Sequence, residues 1–165
     1  MVEVGEIVKI EMAKINFPSI YLSSMKVPWR RIHSWQCTAC GECCKDFKVP
    51  LTFWEYLRFK KLGLVEEKRK YYLRKINGRC PFQVGRFCGI QDSKPLVCKL
   101  FPFLIRDRGD DLALFYYGDE EYYVYVDTYC KNIVFGKPTP RFREMVKEAL
   151  DIYTGKKVSP RLLTC

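Results

Sequence analysis

The chain has 165 residues, of which 48% are hydrophobic and 15% aromatic, so it is long enough and apolar enough to bury a core. This composition excludes a disordered tail, and no apolar run approaches the roughly 18–20 residues of a membrane-spanning helix. The formal charge of +10 would suit an anionic partner such as nucleic acid, although the basic residues are scattered. Residues 1–12 lack the apolar core and cleavage site of a secretory signal, so we expect a cytoplasmic protein that binds no membrane.

The first elements in chain order are predicted from periodicity and turn residues. Alternating apolar and charged residues over 1–17 predict one or two edge strands. The cysteine-rich stretch 37–44 is predicted to be a loop, because cysteines that share a metal must wrap around it. A charged helix is expected from about Val65 to Leu73, as the second helix after the one that begins at Thr52. Asn77-Gly78 predicts a turn.

Two helices are predicted in the middle of the chain. Thr52 and Glu55 have the spacing of a capping box, so a helix should begin after Thr52, and Gly63 lies where it would end. The stretch 80–103 is dense in Cys, Pro and Gly and should be irregular, apart from a short helix around Leu96–Leu100.

The last third of the chain is predicted to contain strands followed by a helix. The three strands are Phe103–Arg106, Leu112–Tyr117 and Tyr122–Val126. The polar tip 107–110 predicts that the first two strands form a hairpin. Thr139 and Pro140 have the order of an N-cap and a first-turn proline, and apolar residues follow at helical spacing over about 140–154. Residues 156–165 are expected to be loose.

The nine cysteines require an explanation. Disulfide scaffolds are typical of short secreted proteins, whereas this chain has no export signal and an odd number of cysteines. Metal ligation is therefore the better hypothesis. Disulfides between some pairs are the alternative, because the Lys/Glu/Arg-rich surface resembles that of heat-adapted proteins, and some of these carry intracellular disulfides.

The run Cys37-Thr38-Ala39-Cys40-Gly41-Glu42-Cys43-Cys44 is the sharpest signal. Each C-x-x-C spacing makes a tight turn that brings two sulfurs to one ion, and the arrangement resembles the start of a bacterial ferredoxin run. Neighbouring Cys43 and Cys44 should point in different directions, which predicts that they serve different centres. Two centres of four thiolates each would lower the net charge to about +6.

The remaining cysteines extend this run to a set of eight predicted metal ligands. They are Cys37, Cys40, Cys43, Cys44, Cys80, Cys88, Cys98 and Cys130. Eight thiolates suit two four-cysteine sites, or one such site with additional bridging or redox cysteines. A zinc site of this kind can be purely a folding staple, so a structural and a chemical role both stay open. Cys165 has no companion and is expected to be an inert buried thiol.

The flanking residues of these cysteines resemble those of the CxxCxxCC cysteine-cluster family, also called the YkgJ family. The matching pieces are 37–44, Cys80-Pro81-Phe82, Cys88-Gly89-Ile90, 94–103 and Cys130. The resemblance covers about residues 35–132 and implies a zinc- or iron-chelating domain. A flagellin lysine N-methylase carries the same domain, so the resemblance also implies S-adenosylmethionine-dependent lysine methylation as an alternative. The chain lacks the Gly-rich loop that would support a conventional methyltransferase fold.

Other candidate residues near the cysteines admit simpler roles. His33, the only histidine, could ligate a metal but is more typical of a packing or surface residue. Lys94, Lys99 and Arg86 could hold an anionic substrate or offset thiolate charge, and the second role is favoured. The family commonly has arginine where this chain has Lys94 and Lys99. Lysine keeps the positive charge but lacks the planar guanidinium group of arginine, which can donate two parallel hydrogen bonds. The tyrosines of 116–125 could stack bases, but more often cover a half-buried sheet.

Together these patterns predict one α+β domain over 1–165, with a small antiparallel sheet, several short helices and irregular cysteine-rich metal-binding loops. The first functional hypothesis is a protein that holds an iron–sulfur cluster or zinc and acts in redox or protein-modification chemistry. The second is a protein lysine N-methylase that uses S-adenosylmethionine. The third is a zinc-stapled binding module for nucleic acid or protein.

Overall fold

The computed structural model describes residues 24–163, and within them the architecture is α+β, as predicted. The predicted strands in 1–17 and the predicted inert Cys165 lie outside the described residues. The strands are β1 (Lys26–Pro28), β2 (Ile32–Trp35), β3 (Val65–Glu67), β4 (Tyr71–Leu73), β5 (Gln83–Val84), β6 (Phe87–Cys88), β7 (Phe103–Arg106), β8 (Leu114–Tyr117), β9 (Glu120–Asp127) and β10 (Ile133–Phe135). The α-helices are α1 (Glu42–Asp46), α2 (Phe53–Lys60), α3 (Leu96–Leu100) and α4 (Pro140–Tyr153). No helix of this part of the chain is long and apolar enough to cross a membrane.

Strand β9 organises the largest sheet, because β1, β7 and β8 all pair with it in antiparallel fashion. Its residue Tyr123 is opposite both Arg106 of β7 and Leu114 of β8, so β7 and β8 lie on opposite edges of β9. Alternate residues along β9, namely Tyr122, Val124 and Val126, are buried. This period-2 pattern gives the sheet one apolar face toward the core.

The predicted hairpin between β7 and β8 is wrong, although both strands exist where they were expected. Strand β8 instead forms a hairpin with β9, joined by the two-residue turn Gly118-Asp119. Gly118 has a φ of +62°, which suits such tight turns. The segment between β7 and β8 contains its own helical turn, in which the Asp110 carboxylate accepts a hydrogen bond from Leu112 N at 2.7 Å. This local turn competes with a direct β7–β8 hairpin.

Helix α4 packs its apolar side into the core, as its spacing predicted. The Thr139 hydroxyl caps it by accepting a hydrogen bond from Phe142 N at 3.1 Å. The Phe142 ring lies 5.7 Å from that of Phe103 in β7, and the Tyr153 ring lies 6.0 Å from that of Tyr122 in β9. These contacts fix α4 against the sheet.

The predicted capping box of α2 is confirmed, and it has a second use. Glu55 N donates to the Thr52 hydroxyl, while Thr52 N donates to Glu55 Oε2 at 2.9 Å. The other oxygen, Oε1, accepts a hydrogen bond from Leu96 N at 2.6 Å. Leu96 is the first residue of α3, so one carboxylate ties the beginnings of two helices together.

The predicted charged helix over Val65–Leu73 is wrong, because these residues form the hairpin β3–β4. The stretch contains Tyr71, which stacks on Tyr56 of α2 with ring centroids 3.9 Å apart. Aromatic and β-branched residues favour strands where a neighbouring surface covers one face. Asn77 and Gly78, at φ +51° and +73°, form the predicted turn directly after this hairpin.

The predicted loose tail is also wrong for its described part, 156–163. The carboxylate of Glu148, which is only 4% exposed, accepts hydrogen bonds from the backbone N–H groups of Arg161, Leu162 and Leu163 at 2.8, 2.6 and 3.0 Å. It also pairs with the Lys157 ammonium. A buried carboxylate needs such partners, so the end of the chain is held against α4.

Candidate metal centre

The first cysteine segment follows β2 and changes conformation in its middle. Residues 36–41 have no regular structure, and Gly41, at φ +79°, turns the chain into α1. The prediction of a loop over the whole of 37–44 is therefore corrected, since Cys43 and Cys44 lie on a short helix. Helical hydrogen bonds such as Phe47 N to Cys43 O at 3.0 Å hold this turn.

The second cysteine segment packs directly on the first. Cys80 N donates a hydrogen bond to Cys44 O at 3.0 Å. Beyond Cys80, the hairpin β5–β6 ends in Cys88 and lies against Gly41, where an added Cβ would come within 2.6 Å of Gln83 Nε2. The positive φ favours glycine at 41, and a Cβ there would require the Gln83 amide to move.

The last two predicted ligands come from other elements. Cys98 lies on α3, whose first residue is held by the Glu55 carboxylate. Cys130 follows β9 and its sulfur accepts a hydrogen bond from Trp35 Nε1 at 3.2 Å. A buried indole N–H needs a polar partner, and here the partner is a thiol.

All eight predicted cysteines line one cavity of about 520 Å³. The cavity therefore gathers residues that span 94 positions of the sequence, from 37 to 130. Its other walls include aromatic rings: the ring of Phe47 lies 4.6 Å from that of Phe101 and 5.2 Å from that of Tyr129. A volume of this size is in the range of small-molecule sites.

A side-chain hydrogen bond between neighbouring Cys43 and Cys44 shifts the pKa values of both thiols. Through this bond the pKa of Cys43 is lowered, whereas the bond and burial together raise the pKa of Cys44 well above its usual range. Both side chains line the same cavity.

Four of the thiols lie close enough to act on one another electrostatically. Cys98 interacts with Cys43, Cys44 and Cys80, and Cys44 interacts with Cys80. Burial raises the pKa of both Cys80 and Cys98. Without a metal these thiols are therefore held in their protonated form.

Two further cysteines lie at the border of this group. Cys40 acts on Cys43, and Cys88 acts on Cys80. Cys37 differs from the others because it is disulfide-bonded, while the other seven predicted ligands are free thiols. A disulfide sulfur is not a thiolate, so Cys37 can join a metal centre only after reduction.

The chemistry of this donor set fits zinc and iron, since both take up to four cysteine thiolates. Over residues 24–163, no three Cys, His, Asp or Glu side chains lie close enough together to coordinate a metal ion as they stand. The residues that would hold a metal are thus the correct type and share a cavity, but they must draw closer to coordinate it.

The charged candidates separate into two groups. Lys94 is buried and lines the cavity. Arg86 also lines the cavity but is exposed. Lys99 instead donates to Val158 O at 2.7 Å, and burial lowers its pKa. His33 is exposed, and its Nδ1 lies 2.8 Å from Lys137 O, which fits the favoured role of a packing or surface residue.

Three residues near the site were not predicted from the sequence. They are Trp35, which bonds the Cys130 sulfur, Glu55, which holds α3, and Lys75, whose charge favours the thiolate of Cys44. The capping-box spacing had identified Glu55, but only as a residue of α2. Nothing in the sequence pattern links Lys75 to Cys44.

Comparison with known families now adds to this geometry. The profile of the CxxCxxCC family, described as a "putative zinc- or iron-chelating domain", matches residues 36–131. This match covers more than half of the 165 residues and includes all eight cysteines, so the chain belongs to the CxxCxxCC family. No curated protein and no solved structure matches the chain.

Proposed function

We propose that this protein binds zinc or iron through a four-thiolate centre formed by Cys43, Cys44, Cys80 and Cys98. The observation that carries the proposal is that these four cysteines line one cavity, in which the charge of each thiolate acts on at least one of the others. They come from three separate segments, and the Cys80 N to Cys44 O hydrogen bond joins two of them. Membership of a zinc- or iron-chelating family supports the same conclusion.

Metal binding in this proposal displaces the thiol protons and draws the four sulfurs together. The bond between the Cys43 and Cys44 sulfurs belongs to the protonated form and is lost when both become thiolates. Binding of a structural zinc supplies on the order of 10 kcal/mol, which is ample for moving short loops. The irregular residues 36–41 and the small hairpin β5–β6 are the segments that adjust most easily.

The role of this centre is proposed to be chemical as well as structural. A purely structural four-cysteine site is closed, whereas this one borders a cavity of about 520 Å³ with Phe47, Phe101 and Tyr129 in its walls. Such a cavity leaves room for a substrate beside the metal. Redox chemistry at an iron–sulfur cluster, or modification of a protein, is the activity that this arrangement would support.

The other hypotheses stay predictions. No contact described at the site favours S-adenosylmethionine or nucleic acid, and a cytoplasmic location likewise stays a prediction. The assignment of Cys37, Cys40, Cys88 and Cys130 to the same or a second centre is also a prediction, with Cys40 and Cys88 closest to the four.

The test is the metal content of protein purified without oxygen, for the wild type and for single serine variants. Cys44→Ser and Cys98→Ser should lose most of the metal. Cys130→Ser removes a thiol from the same cavity but not from the four, so it should retain the metal of the four-thiolate centre, and loss of that metal would contradict the assignment to these four. A brown colour identifies an iron–sulfur cluster, and a colourless zinc protein identifies zinc. A wild-type protein that holds neither metal overturns the proposal.

A further inference from the structure

Lys94 is a buried cation in the wall of the cysteine cavity. It is 5% exposed and directly precedes Pro95 and helix α3, which carries Cys98. Its Nζ lies 3.1 Å from Gln91 Oε1, and that amide oxygen is a neutral acceptor. The hydrogen bond orients the ammonium but does not balance its charge.

In the part of the chain that the structure describes, the other buried charged side chains have opposite charges beside them, and Lys94 does not. Asp127 pairs with Lys26 at 2.6 Å, and Glu148 pairs with Lys157. Among residues 24–163, no carboxylate lies within 4.0 Å of the Lys94 ammonium. Burying a charge without a counter-charge is unfavourable, so an anion beside the Lys94 ammonium would stabilise it.

Lys94 shares the cavity wall with the cysteines, whose thiolates are anions. Its charge acts on both Cys44 and Cys98, where it favours the thiolate over the thiol. These two cysteines belong to the proposed centre and come from different segments of the chain. Lys94 therefore lies at the point where the charge of two thiolates would be concentrated.

We propose that Lys94 is the built-in counter-ion of the metal centre, and that the centre carries a net negative charge. Four thiolates around a divalent ion carry a charge of about −2, which a buried ammonium partly offsets. A site of two thiolates and two neutral ligands carries no net charge and would be opposed by Lys94. The inference rests on the proposed metal centre and specifies its charge and ligand type.

The test compares Zn²⁺ affinity, measured by competition with a chromophoric chelator under reducing conditions, for four proteins. Lys94→Met should bind Zn²⁺ at least about tenfold more weakly than the wild type, because a low-dielectric site strengthens the lost attraction. Lys94→Arg keeps the charge and should bind within about threefold of the wild type. Lys99→Met is the matched control: it removes a cation from α3 that points to Val158, so it should leave the affinity unchanged.

A second measurement separates this role from a structural one. Thermal melting of the metal-free proteins should show Lys94→Met at least as stable as the wild type, since the variant no longer buries an uncompensated ammonium. Equal affinity of Lys94→Met and wild type would overturn the inference and leave the metal centre standing. Equal losses in the Lys94→Met and Lys99→Met variants, or a lower melting temperature of metal-free Lys94→Met, would also overturn it. A wild type that binds no Zn²⁺ or iron would overturn the centre itself, and the inference with it.

Discussion

The backbone N–H of Cys80 donates a hydrogen bond to the carbonyl oxygen of Cys44 across 3.0 Å. This bond brings together two cysteines that are 36 positions apart in the sequence. It leaves both thiols in one cavity and in electrostatic contact. The bond is therefore the most direct structural link between the first and the second cysteine segment.

Substitutions at Cys44 and Cys80 should be strongly non-additive for metal binding. If both thiolates hold one ion, either serine variant removes most of the binding free energy, and the double variant loses little more. Zn²⁺ affinities of Cys44→Ser, Cys80→Ser and the double variant provide this double-mutant cycle. Losses that add would mean that the two cysteines serve separate centres.

The Glu148 carboxylate should be a main determinant of stability at the end of the chain. Glu148→Gln retains the shape but replaces one acceptor oxygen by a donor that faces backbone N–H groups, at a cost of about 3 kcal/mol. Glu144→Gln is the control, because Glu144 is exposed on the same helix. Urea unfolding of both variants at neutral pH checks this expectation, and similar values would contradict it.

The same carboxylate gives a defined acid dependence. Burial alone would raise the pKa of Glu148, but the bonds from Lys157 and from the backbone N–H groups outweigh it, and the pKa is lowered. Its contribution to stability is therefore present above the ordinary value of 4.5 and is lost as the pH falls through the lowered one. The stability difference between wild type and Glu148→Gln should shrink below pH 4.5.

Elements whose sequence pattern depends on neighbouring residues were predicted correctly, and elements held by contacts with distant residues were missed. The capping box at Thr52 and the Thr139-Pro140 start were predicted because caps and periodicity depend on a few adjacent residues. The hairpin at 65–73 was missed because Tyr71 gains its strand contact from Tyr56 on another element. The tail at 156–163 was missed for the same reason, since its anchor, Glu148, lies on α4.

In the candidate site, too, the residue types could be predicted from the sequence, whereas their arrangement could not. Spacing was sufficient to group the eight cysteines, and the structure places all eight around one cavity, while their role as metal ligands stays a prediction. Their arrangement depends on tertiary contacts that spacing does not encode, such as the hydrogen bond from Cys80 N to Cys44 O. Likewise, Lys94 and Lys99 look equivalent in sequence, but only Lys94 lines the cavity.

The double role of Glu55 can be tested by comparing two capping variants. Thr52→Ala removes the hydroxyl that caps α2 and should cost about 1 kcal/mol. Glu55→Ala removes the acceptor for both Thr52 N and Leu96 N, so it should cost roughly twice as much or more. Urea unfolding measures both. Equal costs would mean that the Leu96 bond contributes nothing.

Without metal, the protein should lose stability in alkaline solution. Burial raises the folded-state pKa of Cys80 and Cys98, so the folded protein keeps protons that the unfolded chain releases above the ordinary thiol pKa of 9.0. The stabilising contribution is full below pH 9.0 and decreases as the pH rises further. Unfolding in urea with a chelator and a reductant, from neutral pH to about pH 10, measures this. A Cys98→Ala variant should show a smaller decline, and an identical decline would contradict the explanation.

The most direct test of the central claim is X-ray absorption at the zinc and iron edges, on protein purified without oxygen. The four-thiolate centre predicts a first coordination shell of four sulfur atoms at about 2.3 Å around the metal. It also predicts that this shell is lost in Cys98→Ser and retained in Cys130→Ser. A metal surrounded mainly by nitrogen and oxygen, or a sulfur shell unchanged in Cys98→Ser, would contradict it.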